Sequence, residues 1–110
     1  MLHPGLASHP QHNLAMSQMS ACGPIFSFIV DDRKQAMALL NALQLIDISN
    51  NIGDSRSLMT HPATTTHHSV GPDARAAMGV GAGVLRLNVG LEDPQDLIED
   101  IDQALRAVGL

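Results

Sequence analysis

Aromatic side chains are nearly missing from this sequence, which holds two Phe, no Tyr and no Trp in 110 residues. Its core must therefore be aliphatic, built from Leu, Ile, Val, Ala and Met. Cysteine occurs once, at Cys22, so no internal disulfide can form, which fits a reducing cytoplasm. Flanked by Ala21 and Gly23, that thiol reads as a small buried residue rather than a nucleophile. Positive charge is also short: six Lys and Arg against eleven Asp and Glu give a formal charge of −5. That balance, with no basic cluster, argues against a nucleic-acid partner. No apolar run approaches a membrane span, no basic amphipathic helix suggests a membrane surface, and the N-terminus lacks the features of a signal peptide. Lys34 is the sole lysine. Its polar neighbours are not the desolvated setting that activates a lysine for Schiff-base work.

What is present suits one small domain. The hydrophobic fraction of 45% is ordinary, and a chain of this length buries about 65% of its unfolded surface. Residues 1–10, with two prolines and a glycine, read as an extended arm. A short helix over 11–19 would follow, with Leu14 and Met19 inward. Residues 25–30 (IFSFIV) are near-continuously apolar, the pattern of a central strand covered on both faces. Asp31 and Asp32 open a helix to about Leu43 with Ala36, Leu39, Leu40 and Leu43 on one side. Residues 45–49 read as a strand, 50–54 as a turn, 57–59 as a short strand or irregular segment, and 61–68 as a loop. Pro72 opens a short helix that Gly79 closes. Asp93 and Pro94 open the last helix, whose stripe is Leu97, Ile98, Ile101 and Leu105, with Gly109 at its end. Asp96, Glu99, Asp100 and Asp102 read as its solvated face. The order predicts a two-layer α/β sandwich, a small, mainly antiparallel sheet with helices on one face.

The stretch 84–92 (VLRLNVGLE) organises the rest. Its alternation sends Leu85, Leu87 and Val89 to one face and Val84, Arg86 and Asn88 to the other. A guanidinium in mid-strand needs an anionic partner or open water, because a buried unpaired charge is very costly. Its planar donor fork suits a carboxylate. The plainer alternative is an edge-strand Arg that reaches solvent or a nearby Asp.

Other chemistry finds less support. Six histidines (His3, His9, His12, His61, His67, His68) lack the spacing of a zinc motif, and no nucleophile elbow supports a Ser/His/Asp triad. The glycine-rich run 79–83 precedes a strand instead of leading from one into a helix, the wrong context for a phosphate cradle.

Several motifs together carry a resemblance. Residues 3–12 (HPGLASHPQH), 49–54 (SNNIGD), Ser57-Leu58, 61–67 (HPATTTH) and 84–92 occur in the order and spacing of the Cys/Met-metabolism family of pyridoxal-phosphate enzymes. Within that family the wording is most similar to sulfhydrylases of O-succinylhomoserine or O-acetylhomoserine, with methionine γ-lyase and cystathionine γ-synthase close. Such enzymes pair a large cofactor domain with a smaller C-terminal domain that closes over the substrate. The resemblance implies that residues 21–110 are that smaller domain, with 1–20 an arm and short helix. Met1 abuts the first motif, which implies an excised or truncated piece.

The resemblance further implies that Arg86 grips the substrate α-carboxylate. Asn51 lies beside the same carboxylate, where serine is frequent in relatives and an amide donates equally well. Thr66 matches a threonine near the substrate. Pyridoxal phosphate belongs to the large domain, which supplies the Schiff-base lysine, the aspartate at the pyridine nitrogen and the phosphate-binding residues. This chain alone is therefore expected to bind no cofactor and turn over no substrate. The implied partners are an amino-acid substrate, the large domain and further copies in a homo-oligomer in the cytoplasm. The competing reading is a stand-alone dimerisation or interaction module that reuses the same fold.

Overall fold

A computed structural model describes all residues, 1–110. Four strands form one sheet in the order β1-β4-β3-β2: β1 (Ile25–Ile29), β2 (Asp47–Ile48), β3 (Leu58–Thr60) and β4 (Val84–Asn88). β4 pairs antiparallel with both β1 and β3, while β2 runs parallel to β3. The helices are α1 (His12–Gln18), α2 (Arg33–Ala42), α3 (Pro72–Ala77) and α4 (Pro94–Ala107). The α/β sandwich with a small, mainly antiparallel sheet is thus the observed fold.

Alternation explains the core. Leu85 and Leu87 of β4 and Met59 of β3 are buried on one sheet face against Ala36, Leu39 and Leu40 of α2 and Leu97 and Ala104 of α4. Each Leu or Met side chain so removed from water contributes about 1.5–3 kcal/mol, and each Ala methyl less. Phe26 and Phe28 of β1 pack at the margin of this cluster. Both long helices start on a capping acid: Asp32 Oδ1 accepts from the Gln35 amide, and Asp93 Oδ1 accepts from the Gln95 amide, each at 2.8 Å. Gly109, past the end of α4, has φ +79°, a conformation glycine adopts without a Cβ penalty. Gly83 is demanded by proximity, since a Cβ there would collide with the Val30 carbonyl.

Several expectations change. β1 is an edge strand, not a central one: it pairs only with β4, and none of its residues is fully buried, Ile29 being 57% exposed. Its outer edge is met by the arm: the Leu2 amide donates to the Ser27 carbonyl at 2.6 Å, and the Ser27 amide returns a bond at 3.1 Å. The arm is therefore tied to the sheet and folded into turns, not simply extended. In α1 the buried residue is Ala15, while Leu14 and Met19 are exposed. The loop expected over 61–68 holds a short 3-10 turn, Pro62–Thr64, and a second, His68–Val70, begins at its end. β4 ends at Asn88, and the strand expected over 45–49 shrinks to two residues. In α4 Ile98 is exposed, while Asp100 is 5% exposed. Cys22 is half-buried.

Asp100 is buried for a reason. Its Oδ1 accepts from the Gln44 amide at 2.8 Å, and its Oδ2 accepts from the Leu45 and Ile46 amides at 2.9 Å. One carboxylate thereby satisfies three backbone donors just beyond α2 and fixes α4 against the chain entering β2. Burial alone pushes this carboxyl up, but those amides and the Gln103 side chain hold it below its ordinary value.

Candidate functional site

Arg86 lies mid-strand in β4, in register with Ser27 of β1 and Thr60 of β3. Directly opposed residues share a face, so this row faces away from the aliphatic core. The face is only partly open: Val84, Leu58, Thr60 and Asn88 are buried on it, and Arg86 is half-buried. Its Nη2 donates to the Asn50 carbonyl at 3.0 Å. The two ion pairs of the chain are Arg56–Asp47 and Arg106–Asp102, so Arg86 has no carboxylate partner. A half-covered guanidinium held only by a neutral carbonyl keeps most of its fork for an anion.

The turn between β2 and β3 presents the Asn50 carbonyl to this arginine. Asn50 Oδ1 accepts from the Thr60 hydroxyl at 2.7 Å, and that hydroxyl lies 3.0 Å from Thr65 Oγ1. Thr65 Oγ1 in turn donates to the His61 carbonyl at 2.8 Å. Thr60 is 1% exposed, so Asn50 is set by a buried partner. Asn51 follows directly, exposed, with its amide donating to Ser49 Oγ at 3.4 Å and its side chain free. Thr66 stands apart from this network, its hydroxyl 2.8 Å from His67 Nδ1 at the surface.

The far end of β4 fastens the same turn. Asn88 Oδ1 accepts from the Gly53 amide at 2.9 Å. Glu92 accepts from the Ser57 amide at 2.8 Å and from its hydroxyl, also at 2.8 Å, while Ser57 Oγ accepts from the Gly90 amide. Burial pushes the Glu92 carboxyl up. The Ser57 amide, Glu92's own amide, the Ser57 hydroxyl and the Arg56 charge together bring it below its ordinary value. Gly90 permits this closure, since a Cβ there would strike the Ser55 carbonyl and Arg56.

Sequence reasoning singled out Arg86, Asn51 and Thr66 but missed Asn50, Thr60, Thr65, Asn88 and Glu92. Asn88 gave a faint signal, as a polar residue in a strand of apolar neighbours. His61 opens the stretch whose polarity predicts a loop, yet it is 2% exposed. Its Nε2 reaches the Ala82 carbonyl at 2.6 Å and its Nδ1 the Thr64 hydroxyl at 2.9 Å. A carbonyl only accepts, so Nε2 carries the proton.

No group of three or more His, Cys, Asp or Glu side chains is placed to hold a metal ion. No helix is long and apolar enough to cross a membrane. A cavity of about 430 Å³ bounded by Gly23, Pro24, Gly53 and Leu91 does not include Arg86.

A family profile described as Cys/Met metabolism PLP-dependent enzyme matches residues 1–106. O-succinylhomoserine sulfhydrylase of Mycobacterium tuberculosis is 54% identical over 108 residues, which is 94% of this chain and 27% of that protein. L-methionine gamma-lyase of Pseudomonas putida is 46% identical over 96% of this chain and 27% of its own length. Among solved structures, cystathionine gamma synthase from Xanthomonas oryzae pv. oryzae, in complex with aminoacrylate and cysteine, superposes with a TM-score of 0.90. It is 36% identical and covers 96% of this chain and 28% of that one. The chain therefore spans about a quarter of the length of the relatives it matches.

Proposed function

The chain belongs to the Cys/Met-metabolism family of pyridoxal-phosphate-dependent enzymes, and from that premise we propose that it is the C-terminal, substrate-closing domain of a homoserine-ester sulfhydrylase. In this reading residues 21–110 form the closing domain and 1–20 its arm. Arg86 clamps the substrate α-carboxylate, and the one observation that carries the reading is that its guanidinium meets only the Asn50 carbonyl and no acid. The Asn51 side chain, next along the same turn, supplies an amide donor to that carboxylate. Thr66, whose hydroxyl meets His67 and not the Arg86 network, would reach the substrate from the neighbouring loop. The identity to the Mycobacterium tuberculosis sulfhydrylase favours that branch over the lyases.

In this reading the cofactor site belongs to the remainder of a parent enzyme. Lys34 is exposed on α2, on the layer that covers the opposite sheet face from Arg86. No reaction step is assigned to this chain. Its own work is to bind and orient: the Asn50 carbonyl aims the fork, and the Thr60–Asn50 bond sets that carbonyl before substrate arrives. Preorganisation of this kind lowers the cost of ordering at the moment of binding. The remainder of a parent enzyme would supply the cofactor and the second wall of the site, in a cytoplasmic homo-oligomer.

Complementation tests the reading. The chain is combined with the missing large part of the Mycobacterium tuberculosis sulfhydrylase, and γ-replacement on O-succinylhomoserine is assayed. Activity is expected to return, and Arg86→Ala should cost about 2–4 kcal/mol in kcat/KM, with Arg86→Lys recovering part. Equal activity with Arg86→Ala, or no rescue by a chain that folds, would overturn it.

A further inference from the structure

A second positively charged feature lies outside the Arg86 network. A cavity of about 340 Å³ is lined by Arg33, His61, Ala63, Thr64, His68, Arg75 and Ala82. No acid lines it, although acids outnumber bases eleven to six in the chain. Two of the five arginines face it, and it shares no residue with the Arg86, Asn50, Thr60 and Thr65 set.

The two guanidiniums are differently prepared. Arg75, on α3, donates through Nη1 to the His67 and His68 carbonyls at 3.3 and 3.0 Å, which fixes its plane and leaves Nη2 and Nε without partners. The side chain of Arg33, the first residue of α2, makes no hydrogen bond or ion pair. The two acids that precede Arg33 are engaged elsewhere: Asp32 caps α2 through the Gln35 amide, and Asp31 accepts from the Gln35 side chain at 3.3 Å. His68 adds a ring whose nitrogens make no bond within the chain. Donors thus arrive from α2, α3 and the second 3-10 turn.

Convergence from separate elements fits a tetrahedral ligand better than a flat carboxylate, which a single guanidinium can satisfy. We propose that this pocket binds a tetrahedral oxyanion of the phosphate type, held by Arg33 and Arg75 with His68 at the rim. The proposal does not depend on the role assigned to Arg86.

Amide NMR of the whole chain at constant ionic strength tests it, with inorganic phosphate as the probe, sulfate as a second tetrahedral anion and acetate as a flat control. Phosphate and sulfate are expected to give saturable shifts confined to residues 33, 61–68, 75 and 82, and acetate none. Arg33→Gln, which removes no contact of the fold, should weaken phosphate about tenfold. Arg106→Gln removes the same charge from the far end of α4 and should change nothing. The proposal is overturned by non-saturable shifts, by acetate acting as phosphate does, or by an unchanged affinity in Arg33→Gln.

Discussion

The Arg86 guanidinium and the Asn50 carbonyl meet at 3.0 Å, joining the middle of β4 to the turn that follows β2 across 36 positions of sequence. The contact puts the strand's only cation beside Asn51 while leaving it without a counter-charge. Substrate recognition as proposed here depends on that pairing. The supports around it are what solution experiments reach most directly.

Asp100→Asn should destabilise the domain by about 2–4 kcal/mol, since an amide has one acceptor oxygen for three amide donors and turns an N–H toward at least one of them. Urea unfolding followed by far-ultraviolet circular dichroism measures this. A midpoint equal to that of the unsubstituted chain would remove Asp100 from the fold's essential bonds.

Acid should unfold the chain in a defined direction. Asp100 and Glu92 both have folded-state values below their ordinary ones of 3.8 and 4.5. Stability from each is fully present above the ordinary value and is lost as pH falls through the lowered one, because the unfolded chain then binds more protons. Urea midpoints between pH 7 and 3 should therefore hold steady and drop below about pH 4.5. Asp100→Asn should show a shallower drop, and an unchanged slope would contradict the assignment.

Removing residues 1–5 should promote self-association. Leu2 occupies the amide and carbonyl of Ser27 on the outer edge of β1, and unpaired edges recruit other strands. Sedimentation velocity should show a larger species than the intact chain at equal concentration. Identical profiles would mean that the arm does not guard this edge.

Much of the scaffold was written locally. Asp32, Asp93 and Pro94 mark the helix starts, and the spacing of Leu85 and Leu87 marks the buried face of β4. The apolar run of β1 misled because it satisfies one core face and an arm-covered edge, and composition cannot separate that from a strand buried on both faces. Asp100 and His61 were misread for another reason. Their partners are backbone groups as much as 56 residues away, and main-chain amides and carbonyls leave no trace in residue type. The same holds at the site. Arg86 was legible as a lone charge in a strand, whereas the atom that aims it belongs to the backbone of Asn50.

That last detail shapes how the domain tolerates change. A tether to the main chain of Asn50, itself held through its side chain by Thr60, makes no demand on the side chain that follows, so position 51 can drift toward new ligands while the arginine stays moored. Selectivity is thus free to vary at 51 without the anchor itself having to be reinvented.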